Sequence, residues 1–276
     1  MTTGEILAHT AERLRGREID SFRLDAELII AHALECDRIR LITERDAAVS
    51  PENIDLINKL TERRENREPV AYILGSKEFY GLDFHVDSRV LIPRPETEML
   101  VDLAKEYAPR GGSVLDICTG SGAVAVAVRH IRPDLSVSAS DISADALVVA
   151  KGNAEKLTGK GSVSFIQSDV FDAFNEMRFD IITANPPYIS PSCEGALQKE
   201  ISYEPDVALF SPDEGFSVIT RIIGGCALHL REHGRLFMEI GYDQGARVID
   251  CALAHNVHAE IAKDLSGHDR VAVLSL

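Results

Sequence analysis

Between residues 4 and 67 the apolar positions recur every three or four residues, the spacing that gathers side chains on one face of a helix. Ile6, Leu7, Thr10 and Leu14 are expected to line one helix, and Leu24, Leu28, Ile29, Ala31 and Leu34 a second. A third has a marked start, with Ser50 as cap, Pro51 in the first turn and Glu52 near the positive end of the dipole, ahead of Ile54, Ile57 and Leu60. Residues 1–74 therefore read as a small all-helical domain, without an acid–base or ligand cluster, suited to docking or recognition. Around Gly81, in "KEFYGLDFHV", the period falls to two and predicts a β-hairpin, after which Pro93 and Pro95 punctuate the chain. Residues 75–95 are taken as a hairpin connector.

From Ser113 onward strand patterns alternate with helical ones. "SVLDIC", "SVSAS", "SVSFIQ", "FDIITA", "GRLFMEI", "HAEIAK" and "VAVLSL" are the strands, and residues 121–131, 143–157 and 214–232 the helices. Alternation of this kind predicts an α/β domain over residues 96–276, its sheet mostly parallel and covered on both faces. The last two strands are separated only by "DLSGHDR", too short for a parallel crossover, so they should pair antiparallel.

Two loops carry the candidate chemistry. "VLDICTGSGAVA" joins a strand to a helix, and Gly120 and Gly122 let the backbone turn sharply and approach a ligand at the helix N-terminus. Asp141, ending the next strand, is placed to accept from two ribose hydroxyls. Glycines and acid together also satisfy a dinucleotide fingerprint. Asp116 weighs toward S-adenosylmethionine, since a carboxylate there suits a cationic methionine end and repels a pyrophosphate; Asp169 is a candidate acceptor for an adenine amino group.

The second loop, Asn185-Pro186-Pro187-Tyr188, follows a strand into the crevice at the carboxyl edge of the sheet. Two prolines stiffen the turn, and Pro186 holds Asn185 extended. The Asn185 side-chain oxygen and a proline carbonyl can together hold both protons of an –NH2 group, with Tyr188 against its flat face. Such a nitrogen, its lone pair delocalised, is a poor nucleophile, and positioning it is the main task of a catalyst.

Composition narrows the classes. Twenty-nine Lys and Arg against forty-four Asp and Glu give a formal charge of -15, which opposes binding of a polyanion. Arg13, Arg15, Arg17, Arg63, Arg64 and Arg67 are interleaved with acids and are expected on solvated helix faces. The five scattered cysteines form no C-x-x-C pair and are expected reduced and mostly buried, Cys118 as a small buried thiol rather than a nucleophile. "HLREH", His229 to His233, matches a zinc-protease pattern, but Gly234 follows at once without a third ligand, so these histidines are expected at a surface helix end; His255 and His258 should face solvent. No apolar run has the length of a membrane span and the first residues carry no secretory pattern, which together point to the cytoplasm.

"IPRPETE", "DICTGSGAVAVAV", "NPPYI", "YEPDVAL", "MEIGYDQ" and "KDLSGHDR" occur in the order seen in the HemK/PrmC-type protein-(glutamine-N5) methyltransferases, which the chain resembles over essentially its whole length. The resemblance implies a class I S-adenosylmethionine-dependent methyltransferase fold with a seven-stranded sheet, and methyl transfer to the glutamine amide nitrogen in the Gly-Gly-Gln loop of peptide chain release factors. It implies Asn185, Pro186 and Tyr188 as catalytic residues, with Pro187 joining them around the glutamine. The implied cofactor residues are Asp116, Cys118, Thr119, Gly120, Ser121, Gly122, Asp141, Asp169, Val170 and Asn185, with Arg94, Glu96 and Thr97 bordering the pocket. No metal, nucleic acid or membrane is implied, and a monomer is expected. A ribosomal-protein glutamine, or the adenine N6 of DNA or RNA, would pose the same problem to such a site. Cys118 stands where the family usually has a glycine, so its backbone should be one that a side chain tolerates, and Val170 stands where some relatives have an aromatic residue.

Overall fold

The computed structural model describes residues 1–276, apart from the side chain of Ala196. The chain forms two compact units, one of Met1–Ser76 with Gln198–Tyr203, the other of Lys77–Leu197 with Glu204–Leu276.

The first unit holds α1 (Thr3–Arg15), α2 (Phe22–Ala33), α3 (Arg38–Thr43), α4 (Pro51–Glu65) and α5 (Val70–Leu74). A reciprocal box starts α1, with Thr2 and Glu5 each accepting the other's backbone N–H. Ser50 caps α4 by accepting from the Asn53 amide, with Pro51 beside it in the first turn. Ile6, Leu14, Ile29, Ile30, Leu41 and Ile57 pack the core between the helices. The short α3 and α5 were not foreseen, since neither is long enough to show a period.

α2 matches the expected face in part. It buries Ile29 and Ala31 as expected, together with Asp25, Ala26, Ile30 and Ala33, while Leu24 is exposed. Asp25 on the buried face is paired: Arg64 on α4 donates from Nε to Asp25 Oδ2 at 2.7 Å and from Nη1 to Glu200 Oε1 at 2.9 Å. Asp25 and Arg64 are only 3% and 5% exposed, so the expected solvated arginine face does not hold at Arg64. In water such a pair is worth little, but at this burial either partner left alone would be costly. Arg67 reaches the same Glu200, and the Tyr203 hydroxyl donates to the Asn66 carbonyl at 2.7 Å.

The hairpin of β1 (Ser76–Phe79) and β2 (Leu82–His85), in the second unit from Lys77 onward, turns at Tyr80-Gly81 with φ of 53° and 74°, the positive values a two-residue hairpin turn uses. Then come α6 (Glu98–Tyr107), β3 (Ser113–Ile117), α7 (Ala123–Ile131), β4 (Ser136–Asp141), α8 (Ala144–Leu157), β5 (Val163–Gln167) and β6 (Phe179–Ala184). Single-turn α9 (Asp206–Leu209) and α10 (Pro212–Gly215) precede α11 (Ser217–His229), β7 (Leu230–Glu239), α12 (Gly245–Ala254), β8 (His258–Lys263) and β9 (Asp269–Ser275). The sheet order is β5-β4-β3-β6-β7-β9-β8, parallel from β5 through β7, with β9 antiparallel to both its neighbours.

Adjacent strand residues bury on opposite faces. Leu115, Ile182, Leu236 and Met238 pack with α11 and α12, whereas Val114, Ile181 and Phe237 pack with α6 and α7. The predicted helix 214–232 is too long, because β7 already starts at Leu230. His229 consequently closes α11 inside the protein: it stacks on Phe171 with ring centroids 4.4 Å apart, its Nδ1 3.0 Å from the Met177 carbonyl, while His233 is exposed on β7. Of the cysteines only Cys226 is fully buried, and Cys193 is exposed. His255 and His258 are exposed as expected.

Candidate active site

Strand order reverses between β3 and β6, and at such a switch point the loops leaving the two strands part to form a crevice. These are the two loops carrying the candidate chemistry. The first turns through the left-handed region at Cys118, Gly120 and Gly122, with φ of 57°, 54° and 81°. The tolerant backbone expected at Cys118 is thus absent, and a side chain in this region costs roughly 1–2 kcal/mol. Nearby, Val170 has φ of 53°, an outlier for a β-branched residue, and its side chain packs into the core while bordering the crevice.

Carboxylates hold the first loop. Asp116 is buried and accepts from the Thr119 and Thr183 hydroxyls at 2.6 and 2.7 Å, while Asp141 accepts from the amides of Gly120 and Ser143, both at 2.9 Å. Burial pushes the Asp116 carboxyl up to about 6, against the pull of the two hydroxyls, and raises Asp141 as well. The Cys118 thiol is raised well above its ordinary value by burial and the surrounding carboxylates, which keeps it protonated. Asp169 pairs with Arg221 at 2.9 Å.

Between the loops lies a cavity of about 220 Å³. Asp116, Cys118, Thr119, Gly120, Ser121, Asp141, Asp169 and Val170 reach its wall, as do Asn185, Pro187 and Thr97. Gly122, Pro186, Tyr188, Arg94 and Glu96 do not. Gly122 serves packing instead, since a Cβ there would come within 3.1 Å of Ala150. Arg94 is drawn to the buried Glu204, which also accepts from the Ile92 amide at 3.0 Å, and Glu96 is exposed.

The second loop is held from behind. Asn185 Nδ2 donates to Thr97 Oγ1 at 3.2 Å, Thr97 Oγ1 donates to Glu239 Oε2 at 2.6 Å, and the Tyr188 hydroxyl donates to Glu239 Oε1 at 3.2 Å. Gln244 Nε2 donates to the Tyr188 carbonyl at 3.1 Å, and Gly215, at φ 84°, leaves room for that carbonyl, since a Cβ would fall 2.1 Å from it. Glu239 and Gln244 lie in the "MEIGYDQ" stretch that carries the resemblance but have no role assigned from the sequence. The available signal was an acid inside the apolar strand "LFMEI", where a charge needs partners. Burial raises the Glu239 carboxyl, opposed by the Thr97 hydroxyl, Arg270 and the Tyr188 hydroxyl.

This cavity fits S-adenosylmethionine. A Cβ built on Gly120 meets no atom within 4 Å, so the bare glycine keeps the space over the loop open rather than allowing close packing beneath it. The wall offers carboxylates for a cation and ribose hydroxyls, and its arginines, Arg89 and Arg221, are paired to Asp87 and Asp169 rather than free for a pyrophosphate. One consequence is measurable. With its folded value near 6, above the ordinary 3.8, Asp116 favours the folded chain below pH 3.8 and loses that contribution as pH rises through 6. A bound cation favours the ionised form, so titration calorimetry should show affinity for S-adenosylmethionine rising about tenfold from pH 5 to 7, then levelling. A flat profile would remove Asp116 from binding.

Fold and site together define a class I methyltransferase. Residues 5–75 match the family model described as PrmC N-terminal domain, and residues 95–202 that of the methyltransferase small domain. The release factor glutamine methyltransferase of Neisseria gonorrhoeae is 42% identical over 255 residues, covering 91% of this chain and 92% of that protein. That of Rhodopirellula baltica is 38% identical over 283 residues, covering 98% and 95%. A methyltransferase structure from Pyrococcus furiosus shares the fold at TM-score 0.55 and 17% identity, over 79% of this chain and 97% of that one. The chain belongs to the release factor glutamine methyltransferase family and is an S-adenosylmethionine-dependent enzyme.

Proposed function

We propose that the chain methylates N5 of the glutamine in the Gly-Gly-Gln loop of peptide chain release factors, acting in the cytoplasm as a monomer. The observation that supports this most is the Asn185 side chain. Asn185 reaches the cavity wall and its Nδ2 is committed to Thr97, which leaves Oδ1 as the acceptor for an incoming –NH2 group. S-adenosylmethionine, when bound, supplies an electrophilic methyl on a sulfonium. Asn185 Oδ1 and a carbonyl of the Pro186-Pro187 pair, of which Pro187 reaches the cavity wall, would then hold the two amide protons, aim the nitrogen, and stabilise the positive charge it develops. Asp141 would take the ribose hydroxyls, Asp116 would act on the cationic end through its field, and Thr119 to Ser121 would form the cradle. Tyr188, its hydroxyl tied to Glu239, would shape the amide site from behind.

The test is incubation with labelled S-adenosylmethionine and, separately, intact release factor, a Gly-Gly-Gln peptide, ribosomal proteins and nucleic acid. Label on the release-factor glutamine, with mass spectrometry placing it on the side-chain nitrogen, is the expected result. Label confined to ribosomal protein or nucleic acid would overturn the reading. Among the described residues, no helix is long and apolar enough to cross a membrane.

A further inference from the structure

Glu239 lies at the end of β7, only 1% exposed, and touches Thr97 and Tyr188. Resting on the function proposed above, we infer that Glu239 is a positioning residue: through the Thr97 hydroxyl it fixes which end of the Asn185 amide faces the cavity.

A threonine hydroxyl has one proton and can both donate and accept. With Glu239 ionised, the Thr97 proton goes to the carboxylate at 2.6 Å, the short distance of a charge-assisted bond. Toward Asn185, 3.2 Å away, the same oxygen can then only accept, and Asn185 must offer its NH2. Its carbonyl oxygen is thereby turned to the incoming amide. Without the carboxylate the proton is released, and Thr97 can donate to Asn185 Oδ1 instead. The amide would then populate the opposite flip, setting NH2 against the NH2 of the substrate, and apparent affinity falls in proportion to the competent fraction. The second carboxylate oxygen fixes the Tyr188 hydroxyl, so one buried group orients side chains at both ends of the Asn-Pro-Pro-Tyr turn.

The chain is tested as Glu239→Leu, Glu239→Gln, Thr97→Val and Thr97→Val/Glu239→Leu. Glu239→Leu and Thr97→Val should each lower kcat/KM for the protein substrate about tenfold, with the Kd for S-adenosylmethionine unchanged. Glu239→Gln should stay within about threefold of the parent, because its amide oxygen can take the Thr97 proton while its NH2 donates to Tyr188. Adding Glu239→Leu to Thr97→Val should cost less than about threefold more, since the path is already cut. The Asn185 side-chain NH2 resonances, assigned by their loss in Asn185→Ala, should move in Glu239→Leu and Thr97→Val and hold in Glu239→Gln. Unmoved Asn185 resonances in Glu239→Leu, or additive losses in the double variant, would overturn the inference. Were the parent chain inactive on release factor, the substrate reading would fall, while the resonances would still judge the Glu239 wiring.

Discussion

Asn185→Ala is expected to lower kcat about 10²–10³-fold while the Kd for S-adenosylmethionine shifts less than about threefold. The range is that of losing one preorganised acceptor or donor aimed at developing charge, about 2.7–4 kcal/mol. Two features put Asn185 at the upper end. Its backbone is held by the proline that follows, and its side chain by Thr97, so the acceptor needs no reorganisation as the nitrogen gains charge. Alanine leaves the turn intact, because the Tyr188 carbonyl stays pinned by Gln244 and Ile189 stays bridged to Phe210. Single-turnover assays with saturating release factor, beside titration of the cofactor, separate the two quantities. A loss under about fivefold in kcat would mean that the amide is held elsewhere.

Arg64→Leu is expected to destabilise the first unit by about 3–5 kcal/mol, the cost of leaving a buried carboxylate without its counter-charge. Asp25 would keep only the Ser21 hydroxyl, 2.8 Å away, and Glu200 only Arg67. Replacing both members, as Asp25→Leu/Arg64→Leu, should recover most of the loss, since apolar side chains incur no charge desolvation. Urea unfolding followed by helical circular dichroism measures both variants. Equal stability of Arg64→Leu and the parent would show that the pair is solvated in solution.

What could be read in advance, and what could not, follows from how local the signal is. The strands, the hairpin at Gly81 and both loops at the switch point announce themselves within a few residues, through period, glycine and proline. Thr97 was legible only through the resemblance. Glu239 was missed because its partners lie 142 and 51 positions away, and nothing in a strand end states which distant hydroxyls it will meet. Arg64 was misread for the same reason: its partners are 39 and 136 positions off, and among neighbouring acids it looks like any surface arginine. His229 was misplaced because an apolar helix running directly into a buried strand offers no break to mark the border. In each case the error lay in a polar side chain whose surroundings are set by long-range folding rather than by neighbours in sequence.

The return of residues Gln198–Tyr203 to the first unit bears on how the gene for such an enzyme can be cut. A truncation starting at Lys77 would look like removal of a front module, yet it would take away Arg64, Arg67 and Asn66 and orphan Glu200 and Tyr203 in the middle of what remained. Those orphans sit on the stretch that runs from the Asn-Pro-Pro-Tyr turn to Glu204, the carboxylate that seizes Arg94. The front segment is therefore sewn into the catalytic half by the thread of the chain itself, and recombination between relatives at that seam would have to exchange both stitches at once.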